Sequence, residues 1–177
     1  MRTTPQVPEN LLQLYVENSP LALIQFGLDL RIVAWSERAA ALFGWTEDEV
    51  RGKTLDEFGF VHEDDRDGVS TMFAALADGP VNWEAHSNRN RRKDGGVVYC
   101  RWFNAYLVSE RFTGFVSLAE DVTEATQARE AASASEERLR ALFDATPDAL
   151  TFFDTTGKIT DANPASERLM GVSRAEL

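Results

Sequence analysis

The chain has 177 residues, 44% of them apolar, with 18 Lys and Arg against 29 Asp and Glu for a net charge of −11. That composition suits a globular chain able to bury a core, and its charge repels phosphate backbones, which excludes nucleic acid as an expected partner. The single cysteine, Cys100, excludes an internal disulfide and a cysteine-rich metal or iron–sulfur site; with no apolar run fit for a membrane span or a secretion signal, a cytoplasmic location is expected.

Residues 1–9 are polar and expected to be disordered. Leu11, Leu12, Leu14 and Tyr15 recur at helical spacing before Pro20. "LALIQF" and "LRIVAW" then read as two strands joined through Gly27 and Asp29. Ser36 is the expected N-cap and Gly44 the C-cap of a helix over "ERAAALF", and Thr46 with Glu49 forms a capping box for another turn. The acidic start at Asp64 and Asp65 opens a longer helix with an apolar stripe through Val69, Met72, Phe73 and Leu76, ending at Gly79. Three strands follow, roughly Trp83 to Arg92, Val97 to Val108 and Phe112 to Asp121, the first two joined by a turn at Asp94-Gly95. This order predicts an α+β fold, an antiparallel sheet with helices on one face.

Placing Pro20 on Pro147 sets one ungapped register in which Leu12 meets Leu139, Leu23 meets Leu150, Phe26 meets Phe153, Ile32 meets Ile159 and Gly44 meets Gly171. A period this long marks a tandem array of domains rather than a solenoid. Residues 10–124 are therefore expected to form one complete unit, 125–136 a linking helix, and 137–177 the opening of a second unit in a chain that reads as the N-terminal piece of a longer protein. Ser133 and Glu136 are a further candidate cap, for a fresh helix leading into the second unit.

The ordered set "NSPLALIQF", "IVAWSERAAALFGWTEDEVRGK", "FVHEDDRDGV", "RRKDGG" and "DVTE" resembles a PAS (Per-ARNT-Sim) domain, and the stretch from Leu142 onward resembles the opening of another. The resemblance implies a PAS fold with a five-stranded antiparallel sheet, short helices on one face and a signalling helix after it. It also implies a homodimer paired through the N-terminal and linking helices, and a relay through Asp121, Val122 and Thr123 into the helix beyond.

Alternation along the strand after Gly95 puts Val98, Cys100, Trp102, Asn104 and Tyr106 on one face. In PAS domains that face meets the cavity, and the family phasing also sends His86, Asn88 and Asn90 inward, where they need polar partners. Either a bound ligand supplies those partners, or the amides satisfy one another or a bulge flips the strand. The expected ligand-binding residues are His86, Asn88, Arg89, Asn90, Trp102 and Asn104. Two ligand classes are implied by resemblance: a flavin hydrogen-bonded by Asn90, or a small carboxylic or fatty acid held by Arg89 and Asn104, since an Arg fork suits that anion. Haem is disfavoured, because the long helix has no His and "VHEDD" puts His62 in a turn before it. Cys100 lies on a strand, unlike the photoreactive cysteine of light-oxygen-voltage domains, and reads as a small buried hydrophobe.

No GxSxG, phosphate loop, HExxH, GGDEF or EAL signature occurs, and with two histidines in the chain no catalytic constellation or metal site is expected. The resemblance implies a small-molecule sensory module of a bacterial signalling protein, a sensor histidine kinase first, with a diguanylate cyclase or phosphodiesterase as alternative. A ligand-free dimerisation and relay domain is the reading from a different class.

Overall fold

The computed structural model describes residues 19–77, 84–108, 112–171 and 173, in two compact units that divide between Glu124 and Ala125. The expected leading helix at Leu11 to Tyr15, the helix stop at Gly79 and the strand start at Trp83 lie outside the described residues.

In the first unit β1 (Ala22–Phe26) and β2 (Ile32–Trp35) form an antiparallel hairpin whose turn closes with Gly27 N donating to Arg31 O at 2.9 Å. Helix α1 (Glu37–Phe43) starts at Ser36, whose hydroxyl accepts from Ala39 N at 3.2 Å and from Leu23 N at 3.0 Å. One oxygen therefore caps the helix and ties it to β1. Gly44 ends α1 in the left-handed region at φ 80°, and the Thr46–Glu49 capping box starts the single turn α2 (Glu47–Val50). Two 3-10 turns, Asp56–Phe58 and Glu63–Asp65, lead to α3 (Arg66–Ala77). Strands β3 (Glu84–Arg91), β4 (Val97–Val108) and β5 (Thr113–Asp121) complete a five-stranded sheet in the order β2-β1-β5-β4-β3, with every neighbouring pair antiparallel.

Loop backbone covers both sheet edges. At β3, Arg91 N donates to Phe60 O at 2.8 Å and His62 N to Arg89 O at 3.0 Å; at β2, Ile32 N donates to Lys53 O at 2.9 Å. An edge so occupied offers fewer free groups to another chain. The helices lie on the face that carries Ile24, Phe26, Val98, Cys100, Trp102 and Phe115, all buried. Phe43 packs edge-on to Phe60 at 4.7 Å between ring centroids and stacks on Trp102 at 6.0 Å, an aromatic wall that fixes the Trp102 indole.

Helix α4 (Thr123–Ala145) is continuous and none of its residues is buried. The alternative of a fresh helix capped at Ser133 is thus not taken. Ser costs a helix interior little, and the Ala- and Glu-rich flanks favour propagation over a second nucleation.

In the second unit β6 (Thr151–Phe153) pairs with β7 (Ile159–Ala162), followed by α5 (Pro164–Met170). The repeat extends to fine detail. The register shifts between Phe152 and Phe153 as it does between Gln25 and Phe26. Asn163 accepts from Leu150 N and Ser166 N, both at 2.9 Å, the two bonds that Ser36 makes in the first unit with a different side chain. Phe153 is 61% exposed where its counterpart Phe26 is 2% exposed, because the strand and helix that cover Phe26 have no counterpart among the second unit's described residues.

Candidate functional site

The hairpin register sets the site. β3 and β4 pair without a bulge from Arg91 opposite Val97 to Glu84 opposite Asn104, so Asn88 and Asn90 share the inner face with Cys100, Trp102 and Asn104. Asn90 is 1% exposed, and its carbonyl oxygen accepts from Trp102 Nε1 and from Asn88 Nδ2, each at 3.1 Å. Asn88 Nδ2 also reaches Arg89 O at 3.1 Å. These two amides and the indole satisfy one another, one of the arrangements left open by the sequence.

Asn104 is different. It stands directly opposite Ser117 across β4 and β5, both are 1% exposed, and among the described residues neither Asn104 Nδ2 nor Ser117 Oγ has a hydrogen-bond partner. Leaving such a group unpaired costs about 1–3 kcal/mol. Both residues line a chamber of about 20 Å³, with Asn88, Asn90 and Trp102 on the same lining. That is room for one water-sized group. The remaining unpartnered buried side-chain atom among the first unit's described residues, Trp45 Nε1, belongs to a residue outside this lining.

A second, larger space adjoins the first. Phe26, Leu55, Val61, Val69 and Phe73 line the chamber and also a groove of about 390 Å³ that opens past Leu28 and Leu30 on one side and α3 on the other. Groove volumes of this size accept drug-sized ligands. Among the described residues, Asp29, Asp56 and Arg66 are the charged residues of the groove, all exposed, and no charged residue lines the chamber.

Two expected ligand residues stand elsewhere. His86 is half-buried against α3, where a Cβ added to Gly68 would lie 3.8 Å from His86 Cε1, and it lines neither space. Arg89 points away from the chamber, because the two-residue period that turns Asn88 and Asn90 inward turns it outward. Its guanidinium bonds both oxygens of Asp65, at 2.7 and 3.0 Å, and reaches Asp64 at 3.1 Å. An Arg89–Asn104 clamp for a carboxylate is therefore not assembled. Nor does a tricyclic flavin fit beside Asn90 without rearrangement, since the adjoining space is about 20 Å³ and the Asn90 carbonyl already accepts two bonds.

The Arg89 pair has a pH consequence. The hydrogen bond from Arg89 holds the Asp65 carboxyl below its ordinary value near 3.8, against an opposing effect of partial burial. A folded-state value below the unfolded one gives stability that is present above about pH 4 and lost as pH falls through the folded value. Urea unfolding midpoints should thus fall below pH 4, and Asp65→Asn should lower the midpoint near neutrality while flattening that acid limb. An acid limb unchanged in the variant would remove Asp65 from the account. Cys100 shows the opposite direction: burial, with Asp121 nearby, pushes its thiol up to about 12, leaving an inert apolar side chain.

At the far end of β4 and β5, Thr123 Oγ1 accepts from Tyr99 N at 3.0 Å, Val122 N donates to Tyr99 O at 2.9 Å, and Asp121 Oδ1 accepts from Thr123 N at 2.9 Å. Asp121 also lies 3.5 Å from the Arg92 guanidinium. The first residue of α4 is thus tied to the strand that carries Trp102 and Asn104.

Sequence reasoning passed over Ser117 and the groove. Ser117 had a signal, a lone hydroxyl between Phe115 and Ala119 on the inner face of β5. The groove had none, because Leu28, Leu55 and Val69 come from separate turns and a helix.

Comparison with known proteins fits this geometry. The family model described as PAS fold matches residues 16–127, and one described as PAS domain matches residues 137–177. No curated protein matches the chain. The PAS domain of a Colwellia psychrerythraea protein is similar in fold, at 14% identity and TM-score 0.57 over 65% of this chain and 97% of that one. A sensory box histidine kinase/response regulator from Burkholderia thailandensis is similar at 19% identity and TM-score 0.56, over 73% and 98% of the two chains. A light-oxygen-voltage domain from work on a flavin analogue is similar at 18% identity and TM-score 0.55, over 72% and 96%. With the five-stranded antiparallel sheet and its one-sided helices, these matches establish that the chain belongs to the PAS family.

Proposed function

We propose that this chain is the sensory module of a signalling protein of the sensor histidine kinase class, and that it binds a small molecule in the groove and chamber of its first unit. The observation that carries the reading is the facing pair of buried, unpartnered polar atoms, Asn104 Nδ2 and Ser117 Oγ, beneath an apolar groove large enough for a ligand. An empty polar pair costs stability, and a ligand that completes it recovers that cost. The likeness to the Burkholderia protein supports the kinase context.

Binding would act on β4 and β5 together, since Asn104 and Ser117 belong to these neighbouring strands. The same two strands end at Tyr99, Asp121 and Thr123, where α4 begins. A ligand shifts this junction only by favouring one of two strand arrangements. The exposed α4, with Leu139 and Leu142 bare, is the surface on which two copies would pair.

The ligand-free relay is the second reading, favoured by one observation: Asn88, Asn90 and Trp102 satisfy one another with no ligand. The two readings part on whether a small molecule leaves the purified chain in stoichiometric amount when it is denatured. The sensor reading expects one; a chain that neither releases nor binds one is a relay.

A further inference from the structure

We propose that the ligand is an uncharged molecule with an apolar body and a carbonyl oxygen at its tip, the oxygen accepting hydrogen bonds from Asn104 Nδ2 and Ser117 Oγ. The inference rests on the chain being a ligand-binding sensor and specifies the chemistry of that site.

Three features select this class. The two unpartnered groups are both able to donate, and they stand opposite each other on adjacent strands, so one acceptor placed between them completes both. The chamber of about 20 Å³ admits a single oxygen-sized group and no ring. Among the described residues no Lys, Arg or His lines it, so a carboxylate there would be a buried charge without a counter-ion. The groove rim adds to the discrimination, with the carboxylates of Asp29 and Asp56 beside the guanidinium of Arg66. An anion gains little at such a rim. Between chamber and rim the walls are apolar, formed by Phe26, Leu55, Val69 and Phe73, which suits an aliphatic or aromatic body.

The test uses the whole chain and four probes of equal length: a medium-chain methyl ketone and the alkane, alcohol and carboxylic acid that match it. Calorimetric titration should rank the ketone first, with the acid and the alkane each weaker by at least about ten-fold. Ser117→Ala should cost the ketone about ten-fold and leave the alkane unchanged, a difference that a general loss of fold would not produce. If the acid binds as tightly as the ketone, or if the alcohol outranks it, the carbonyl assignment is overturned while the sensor reading stands. If the purified chain releases a molecule that is charged or carries no carbonyl group, the assignment is again overturned. If no probe binds and nothing is released, the sensor reading itself fails.

Discussion

Replacing Asn104 by Leu should stabilise the ligand-free protein by about 1–2 kcal/mol and abolish ligand binding. In most cores the loss of a buried amide is destabilising, because its partners are stranded. Here Nδ2 has none, and the residue sits at 1% exposure among Phe26, Met72 and Trp102 on the chamber lining. Leu removes the unpaired donor, and its extra volume has the chamber of about 20 Å³ to enter. For a unit of this size the change amounts to several degrees in Tm. A residue that weakens the resting fold while serving its ligand has the signature of a functional site. Thermal and urea unfolding of the two proteins decide the matter. A variant destabilised by about 2 kcal/mol or more would mean that the Asn104 amide is satisfied in the folded protein, and the binding site would lose its foundation.

The second large effect falls on the sheet itself. Gly114 opens β5 beside the end of β1, where a Cβ would lie 2.2 Å from the Phe26 carbonyl oxygen and 2.9 Å from the Phe112 ring. The first contact is with backbone, which cannot rotate aside, so Gly114→Ala must part β1 from β5 in the middle of the sheet order. The expected loss is at least about 3 kcal/mol, at the top of the overpacking range. The same separation would distort Phe26, which lines both chamber and groove. Gly68→Ala is the control: its Cβ would meet only His86, at 3.8 Å, and alanine within α3 should gain about 0.5–1 kcal/mol. A loss below about 1 kcal/mol at Gly114 would contradict the close approach of β1 and β5 at this position.

Local chemistry was the readable part of this sequence. Ser36, Gly44 and the Thr46–Glu49 box specify where α1 and α2 start and stop because capping depends on residues three or four apart. The repeat was readable for the same reason, even where Asn163 replaces Ser36, since either side chain accepts the same two backbone bonds. Strand alternation put Asn104 on one face with Val98, Cys100, Trp102 and Tyr106, and the resemblance to PAS domains turned that face inward together with His86, Asn88 and Asn90; the structure buries Asn88, Asn90 and Asn104 and half-buries His86, with β3 and β4 paired without a bulge. What stayed hidden depends on contacts across the fold. Arg89 was offered to a carboxylate ligand, but Asp65, far away in the chain, lies beside it once β3 is covered by the segment from Phe60 to Asp65. Whether Asn90 is satisfied depends on the position of Trp102 on the next strand, which in turn depends on Phe43 stacking against it. No spacing within one strand encodes either fact.

The most direct test of the sensor reading is mass spectrometry of the small molecules released on denaturing the freshly purified chain, run beside the Asn104→Leu variant prepared identically. The account predicts one molecule in near-stoichiometric amount from the unaltered chain, uncharged and bearing a carbonyl group, and none from the variant. The same molecule in equal amount from both preparations would contradict the site, and nothing from either, with no binding on titration, would contradict the sensor.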